Sequence, residues 1–368
     1  MYDVDVEQFW KDDEIAQQDN CFYRGRQVAL GIRMSDECVF AELGIKGHPW
    51  APMERARRLE LNRRYNDKAE KMVGIRLLSE EFPPEDAQFP YVKRIGEVFG
   101  GRYVFHDNSE WLMESATDAH SLEALLDRVE RLDMRAFMLP PNWKAEKRRI
   151  YEAYGIRPEP MRGIRGPVTL ACSLMGSEAF LLMVLDEPEL ARRFSDCIAE
   201  AILRMAAVMD EESGETPDSF TGFGFADDNC CLMTPEMYDL FGYPILKRAF
   251  DVYSRNPGDG RFQHSDSAMG HLLPVLGRLN MTGVNFGPTV LIPEIRTHLK
   301  DARIDGCIAP FTFMRGDEAA LTAEVTRDCA DGMRYGGVNI STAGSINNGS
   351  SLQSLRLIMS VIQHYREA

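Results

Sequence analysis

The stretch SFTGFGFADDNCCLMTPEMYDLFGYPILKRAFDVYS occupies residues 219–254. Its first ten residues alternate Phe with small residues and finish on Asp227 and Asp228, the pattern of a strand with a polar tip. Thr234 then offers a helix N-cap, with Pro235 at the first helical position. The same strand-then-helix unit recurs toward the C-terminus. GRFQHSD precedes MGHLLPVLGRLN, MTGVNFGP precedes PEIRTHLK, and ARIDGCIAP precedes GDEAALTAEVTRDCADGM. GGVNIST precedes SSLQSLRLIMSVIQHY. Strands alternating with helices imply parallel strands joined by right-handed crossovers. Repetition without a long interruption favours a closed (β/α)8 TIM barrel over an open sheet. About three further strands are then expected over residues 76–216. GIRGPVTLAC reads as one of them, followed by helices expected over 178–185 and 187–212.

Upstream, residues 1–75 are rich in charge and carry one long helical candidate over 52–73. The expected organisation is an α/β barrel over 76–368 with an N-terminal helical extension over 1–75. EEFPPEDAQFP, rich in Pro and acids, reads as a connecting loop. No GxGxxG opens a helix after a first strand and no GxxxxGK[ST] occurs, so dinucleotide and P-loop readings lack their phosphate cradle.

The 368 residues carry 42 Lys+Arg against 57 Asp+Glu, a formal charge of −15. Such a chain repels phosphate backbones, so no nucleic-acid partner is expected. No apolar run approaches the ~18 residues of a membrane span, so no membrane partner is expected either. The acidic start MYDVDVEQFWKDDE argues against a secretory signal. The eight cysteines lack CxxC spacing. That points to a reducing cytoplasm and to buried free thiols.

In a barrel the site is built at the C-terminal strand ends. Those ends hold Asp227 and Asp228, then His264 and Asp266, then Asn285, Cys307 and Ser345. Upstream, His106 and Asp107 follow the strand-like RYVF, and Arg162 and Arg165 flank GIRGPV. Asp227, Asp228 and His264 are the catalytic candidates, as acid–base groups or substrate orienters. The plainer reading is that one of the two aspartates caps the turn that follows it. His106, Arg165, Asn285 and Ser345 are substrate-binding candidates, although Asn285 also suits a turn. His264, Asp266 and Cys307 together offer a nitrogen, an oxygen and a thiolate, a donor set that Zn²⁺ accepts with one position open. Cys307 equally suits plain packing. STAGSINNGSS, after the last strand, suits either an anion site or a helix cap through Ser350 or Ser351. Phe220, Phe223 and Phe225 suit barrel-interior packing.

Residues 160–368 resemble the uroporphyrinogen decarboxylase superfamily. The resemblance rests on FADDNCCLMTPEMYDLFGYPILKRAFD, GRFQHSD with HLLPVLGRLNMTGVNFGP, ARIDGCIAPFTFMRGDEAALTAEV and VNISTAGSINNGSSLQSLRLIMSVIQHY. It implies a (β/α)8 barrel, often dimeric. The arginine-bearing stretch close to MRQAGRYLPEY of the haem-pathway decarboxylases has no counterpart here. The resemblance therefore favours the other branch, cobalamin-dependent methyltransferases, whose corrinoid is supplied by a partner protein. Zinc members of that branch carry His-x-Cys and a distant Cys. Here His264 matches the His, Asp266 stands at the first Cys position and Ser345 about where the last belongs. That substitution points to an oxygen-richer metal site or to none. The expected function is a corrinoid-dependent methyltransferase or demethylase on a small methylated substrate. The alternatives are a cofactor-free decarboxylase of an organic acid and a non-catalytic ligand-binding barrel.

Overall fold

The computed structural model describes residues 2–106 and 109–365. Asp107, read above as a strand-end residue, lies outside the described residues. In chain order, helix α1 (Val6–Ala16) precedes strand β1 (Ala29–Leu30) and helix α2 (Arg55–Val73). A hairpin of β2 (Arg102–His106) and β3 (Ser109–Met113) follows. Then come β4 (Gly163–Arg165), α3 (Pro167–Met175), α4 (Ser177–Asp186) and α5 (Pro188–Ser213). Beyond these lie β5 (Phe223–Ala226), α6 (Pro235–Tyr253), β6 (Arg261–Ser265), β7 (Gly283–Phe286) and α7 (Ile292–His298). The chain closes with β8 (Arg303–Asp305), α8 (Glu318–Tyr335), β9 (Val338–Ile340) and α9 (Leu352–His364).

The fold class is α/β of the (β/α)8 barrel type, with seven parallel strands in one sheet among the described residues. The five strands read from the C-terminal sequence are all present with helices after them, except that after β6 the expected helix is α only over Leu273–Leu276, between two short 3-10 turns. The interval 76–216 differs from expectation: it supplies one parallel strand, β4, and an antiparallel hairpin, β2–β3. GIRGPVTLAC is a strand only over its first residues, because Pro167 starts a helix there.

Two compact units are distinguished. The first holds the chain up to Phe82, Ser265–Gly270 and the chain from Gly283 onward. In it β1 pairs with β9, β9 with β8 and β8 with β7, all parallel. The largely helical N-terminal region therefore also supplies a sheet strand. Its start is tied to the last helix: Arg356 donates to the carbonyls of Tyr2 and Val4 at 2.8 and 3.3 Å. Buried Arg296 on α7 donates to five backbone carbonyls, those of Leu299, Lys300, Ala302, Gly336 and Gly337.

The second unit holds Pro83–His264 and His271–Thr282. In it β4 pairs with β5 and β5 with β6, again parallel. Phe223 and Phe225 do not line a barrel interior. They pack against Tyr253 and Phe250 of α6 at ring distances of 5.6 and 5.9 Å. Phe220 precedes the strand and is exposed. Alternation along β5 thus turns the phenylalanines toward the covering helix and leaves Gly224 on the other face.

Among the described residues no single helix is long and apolar enough to cross a membrane. The bent pair α3 and α4, at 107°, passes that test together by length and composition. Every residue of α3 but Ser173 is buried, as a core helix requires.

Candidate active site at the strand ends

In the second unit the parallel register places Arg165, Ala226 and His264 side by side at the C-terminal ends of β4, β5 and β6. Asp227 and Asp228 continue directly from Ala226. The two aspartates then part company.

Asp227 is fully buried. Its Oδ1 accepts the Thr169 N–H at 2.7 Å and its Oδ2 the Val168 N–H at 3.4 Å, at the N-terminus of α3. Donors left free by the first helical turn are thereby satisfied. Burial pushes its carboxyl up to about 6, against the opposing pull of these hydrogen bonds. Gly166 permits this approach: a Cβ there would lie 2.1 Å from the Asp227 Cβ. Asp227 is thus a capping and positioning group, but for α3, earlier in the chain, and not for the turn that follows it.

Asp228 is partly exposed, and its Oδ1 lies 3.5 Å from His264 Nε2. Both neighbours of Asp228 are tied to α3. Asp227 holds the backbone N–H groups, and the Asn229 N–H donates to Thr169 Oγ1 at 3.1 Å. Asp228 is pinned between these anchors, so its position beside His264 is set by the helix start. One imidazole nitrogen and one carboxylate oxygen this close suit a borderline divalent cation such as Zn²⁺, or a polar substrate atom.

Arg165 borders a cavity of about 590 Å³ with Lys93, Arg94, Tyr103 and Glu110. These cavity residues went unnoticed in the sequence, which carries no motif over 92–112 to reveal them. His106 ends β2, exposed, opposite Ser109 in the hairpin register. It stands on the antiparallel hairpin, not on the parallel sheet.

The first unit carries the other candidates. Asn285 clasps strand ends: its Nδ2 donates to the carbonyls of Asp305 and Thr342, and its Oδ1 accepts the Gly344 N–H at 3.1 Å. Asp266 is exposed, and a Cβ on Gly344 would lie 3.2 Å from its Oδ2. Ser345, next in the chain, is exposed. Cys307 is fully buried, and its backbone N–H donates to Asp328 at 2.8 Å. Burial pushes its thiol well above the ordinary range, with the Asp328 charge adding to the shift. A thiol so held presents no thiolate to an open site, and packing explains it. In the Gly/Ser/Asn segment, Ser351 caps α9, its Oγ accepting the Ser354 N–H at 3.0 Å.

Within the second unit, β4, β5 and β6 bring Arg165, Asp228 and His264 to their C-terminal ends, where a barrel of this type builds its site. Residues 160–365, more than half the chain, match the model of the family described as uroporphyrinogen decarboxylase (URO-D), and the chain belongs to that family. Its structure is similar to that of a methyltransferase from Methanosarcina mazei, with a TM-score of 0.57 at 15% identity. The alignment covers 95% of this chain and 96% of that one. At that identity the likeness speaks to the fold. No curated protein sequence matches the chain.

Proposed function

We propose that the protein is a methyl-transferring enzyme of this family. It would act as a methyltransferase or demethylase on a small methylated substrate, with the corrinoid carried by a partner protein. The reading rests on one observation: Asp228 and His264 face each other at 3.5 Å on adjacent parallel strand ends. The fold shared with a methyltransferase agrees with it.

Removing a methyl group from a heteroatom leaves electron density on that atom, so the site must stabilise it. A divalent ion held by His264 and Asp228 would supply Lewis acidity there. Cys307, buried and packed, is not a donor in this proposal. Asp227 and Thr169 hold Asp228 in place through the start of α3. In this proposal the protein works in the cytoplasm.

The test measures bound metal and methyl transfer to a corrinoid protein for the wild type, His264→Ala and Asp228→Ala. Metal content should fall in both variants, and transfer should fall by ~10²-fold or more. Full metal content in His264→Ala would sink the ligand assignment. Release of carbon dioxide from organic acids without corrinoid would replace methyl transfer with decarboxylation.

A further inference from the structure

The cavity of about 590 Å³ beside β4 has a composition that the methyl-transfer reading does not use. Its apolar wall includes four methionines, Met138, Met161, Met205 and Met209. Methionine is flexible and polarisable, so this wall adapts to the shape of a hydrocarbon or aromatic body. The charged groups around it divide into satisfied and unsatisfied ones. Arg94 forks onto Glu110 with contacts of 2.5 and 2.9 Å and lies 3.4 Å over the Tyr103 ring. Arg162 is paired with Asp210 at 2.6 Å. Glu159 stands exposed at the rim. Lys93 and Arg165 remain. Neither has an acidic partner within salt-bridge distance among the described residues; Lys93 instead lies 4.1 Å over the Phe137 ring. The Arg165 Nε is buried and has no hydrogen-bond partner.

A buried guanidinium donor without an acceptor is costly unless something supplies one. Arg165 feels the charge of Glu110, which Arg94 already binds, and neither Arg165 nor Lys93 has a salt bridge of its own among the described residues, so the apolar chamber has a place for an anion. We propose that this cavity binds an organic anion, its carboxylate or phosphate head on Arg165 and Lys93 and its apolar body against the methionines. The volume falls within the ~300–1,000 Å³ of small-molecule sites, which are mostly apolar with a few placed polar groups. The proposal stands apart from the methyl-transfer reading and does not need it.

Titration calorimetry of the full chain with octanoate, octyl phosphate and octanol tests it. One molecule of octanoate or octyl phosphate should bind per chain, whichever head is preferred, and about tenfold or more tightly than octanol. Arg165→Gln should weaken the anion by about tenfold and leave octanol unchanged, because only a charge-assisted hydrogen bond is lost. Lys93→Met provides the second reading should Arg165→Gln fail to fold, and the same selective loss is expected of it. Octanol binding as tightly as both anions overturns the proposal. So does wild-type anion affinity in the folded variants.

Discussion

Asp227 and Asp228 are neighbours of identical chemistry with opposite environments. The Asp227 carboxyl is raised from its ordinary 3.8 to about 6 by burial. The folded chain therefore holds a proton that the unfolded chain releases between those two values. Stability from this group is complete below about pH 4 and is lost as pH rises through about 6, by up to ~3 kcal/mol. Urea unfolding of the wild type and Asp227→Asn at several pH values should show the wild type losing stability relative to the variant across that window. Parallel curves would mean that Asp227 is not buried as a carboxyl. The sequence showed two acids at a strand end, and both were legible as site candidates. Which of them is buried was not legible, because Gly166 and the α3 N-terminus decide it from about sixty positions away.

Elements explain the next layer. Pro167 starts α3, and Gly166 before it is the point of closest approach to β5. Gly166→Ala should force Asp227 away from its cap, costing about 3 kcal/mol and disturbing the Asp228–His264 pair. Thermal unfolding with a metal-binding titration would check both, and wild-type values for both would refute the close approach. Arg296 works at the same scale, binding the carbonyl ends of α7 and α8 together. Arg296→Met leaves buried carbonyls without donors and should lower stability by about 3 kcal/mol or more, read as a drop in melting temperature. The long C-terminal helices were readable from capping residues such as Thr234 and from their apolar spacing. β4 was read within GIRGPVTLAC, though too long, and β2 was strand-like as RYVF; β1, two residues long, shows no period, and the antiparallel partner β3 exists through cross-strand pairing.

At the scale of the molecule, the two ends of the chain meet. β1 pairs with β9, and the Asp5 N–H donates to Gln363 on the last helix at 2.9 Å. Removal of residues 2–36 would strip one edge of β9 and uncover the α9 surface. The truncated chain should lose its cooperative thermal transition by circular dichroism; a wild-type melt would show the N-terminal strand to be dispensable. Sequence alone established the order of strands and helices over the C-terminal half and its parallel sheet, while the family came by resemblance of whole segments. The order and the sheet follow from local signals, namely alternation, caps and Pro placement, that each segment carries within itself. Tertiary structure alone decided the division of labour between the two aspartates, the burial of Cys307 and the charge balance of the cavity beside β4. Burial and pairing are set by residues distant in the chain: Lys93, Tyr103, Arg165 and Met205 share one chamber only because the sheet and its hairpin bring them together.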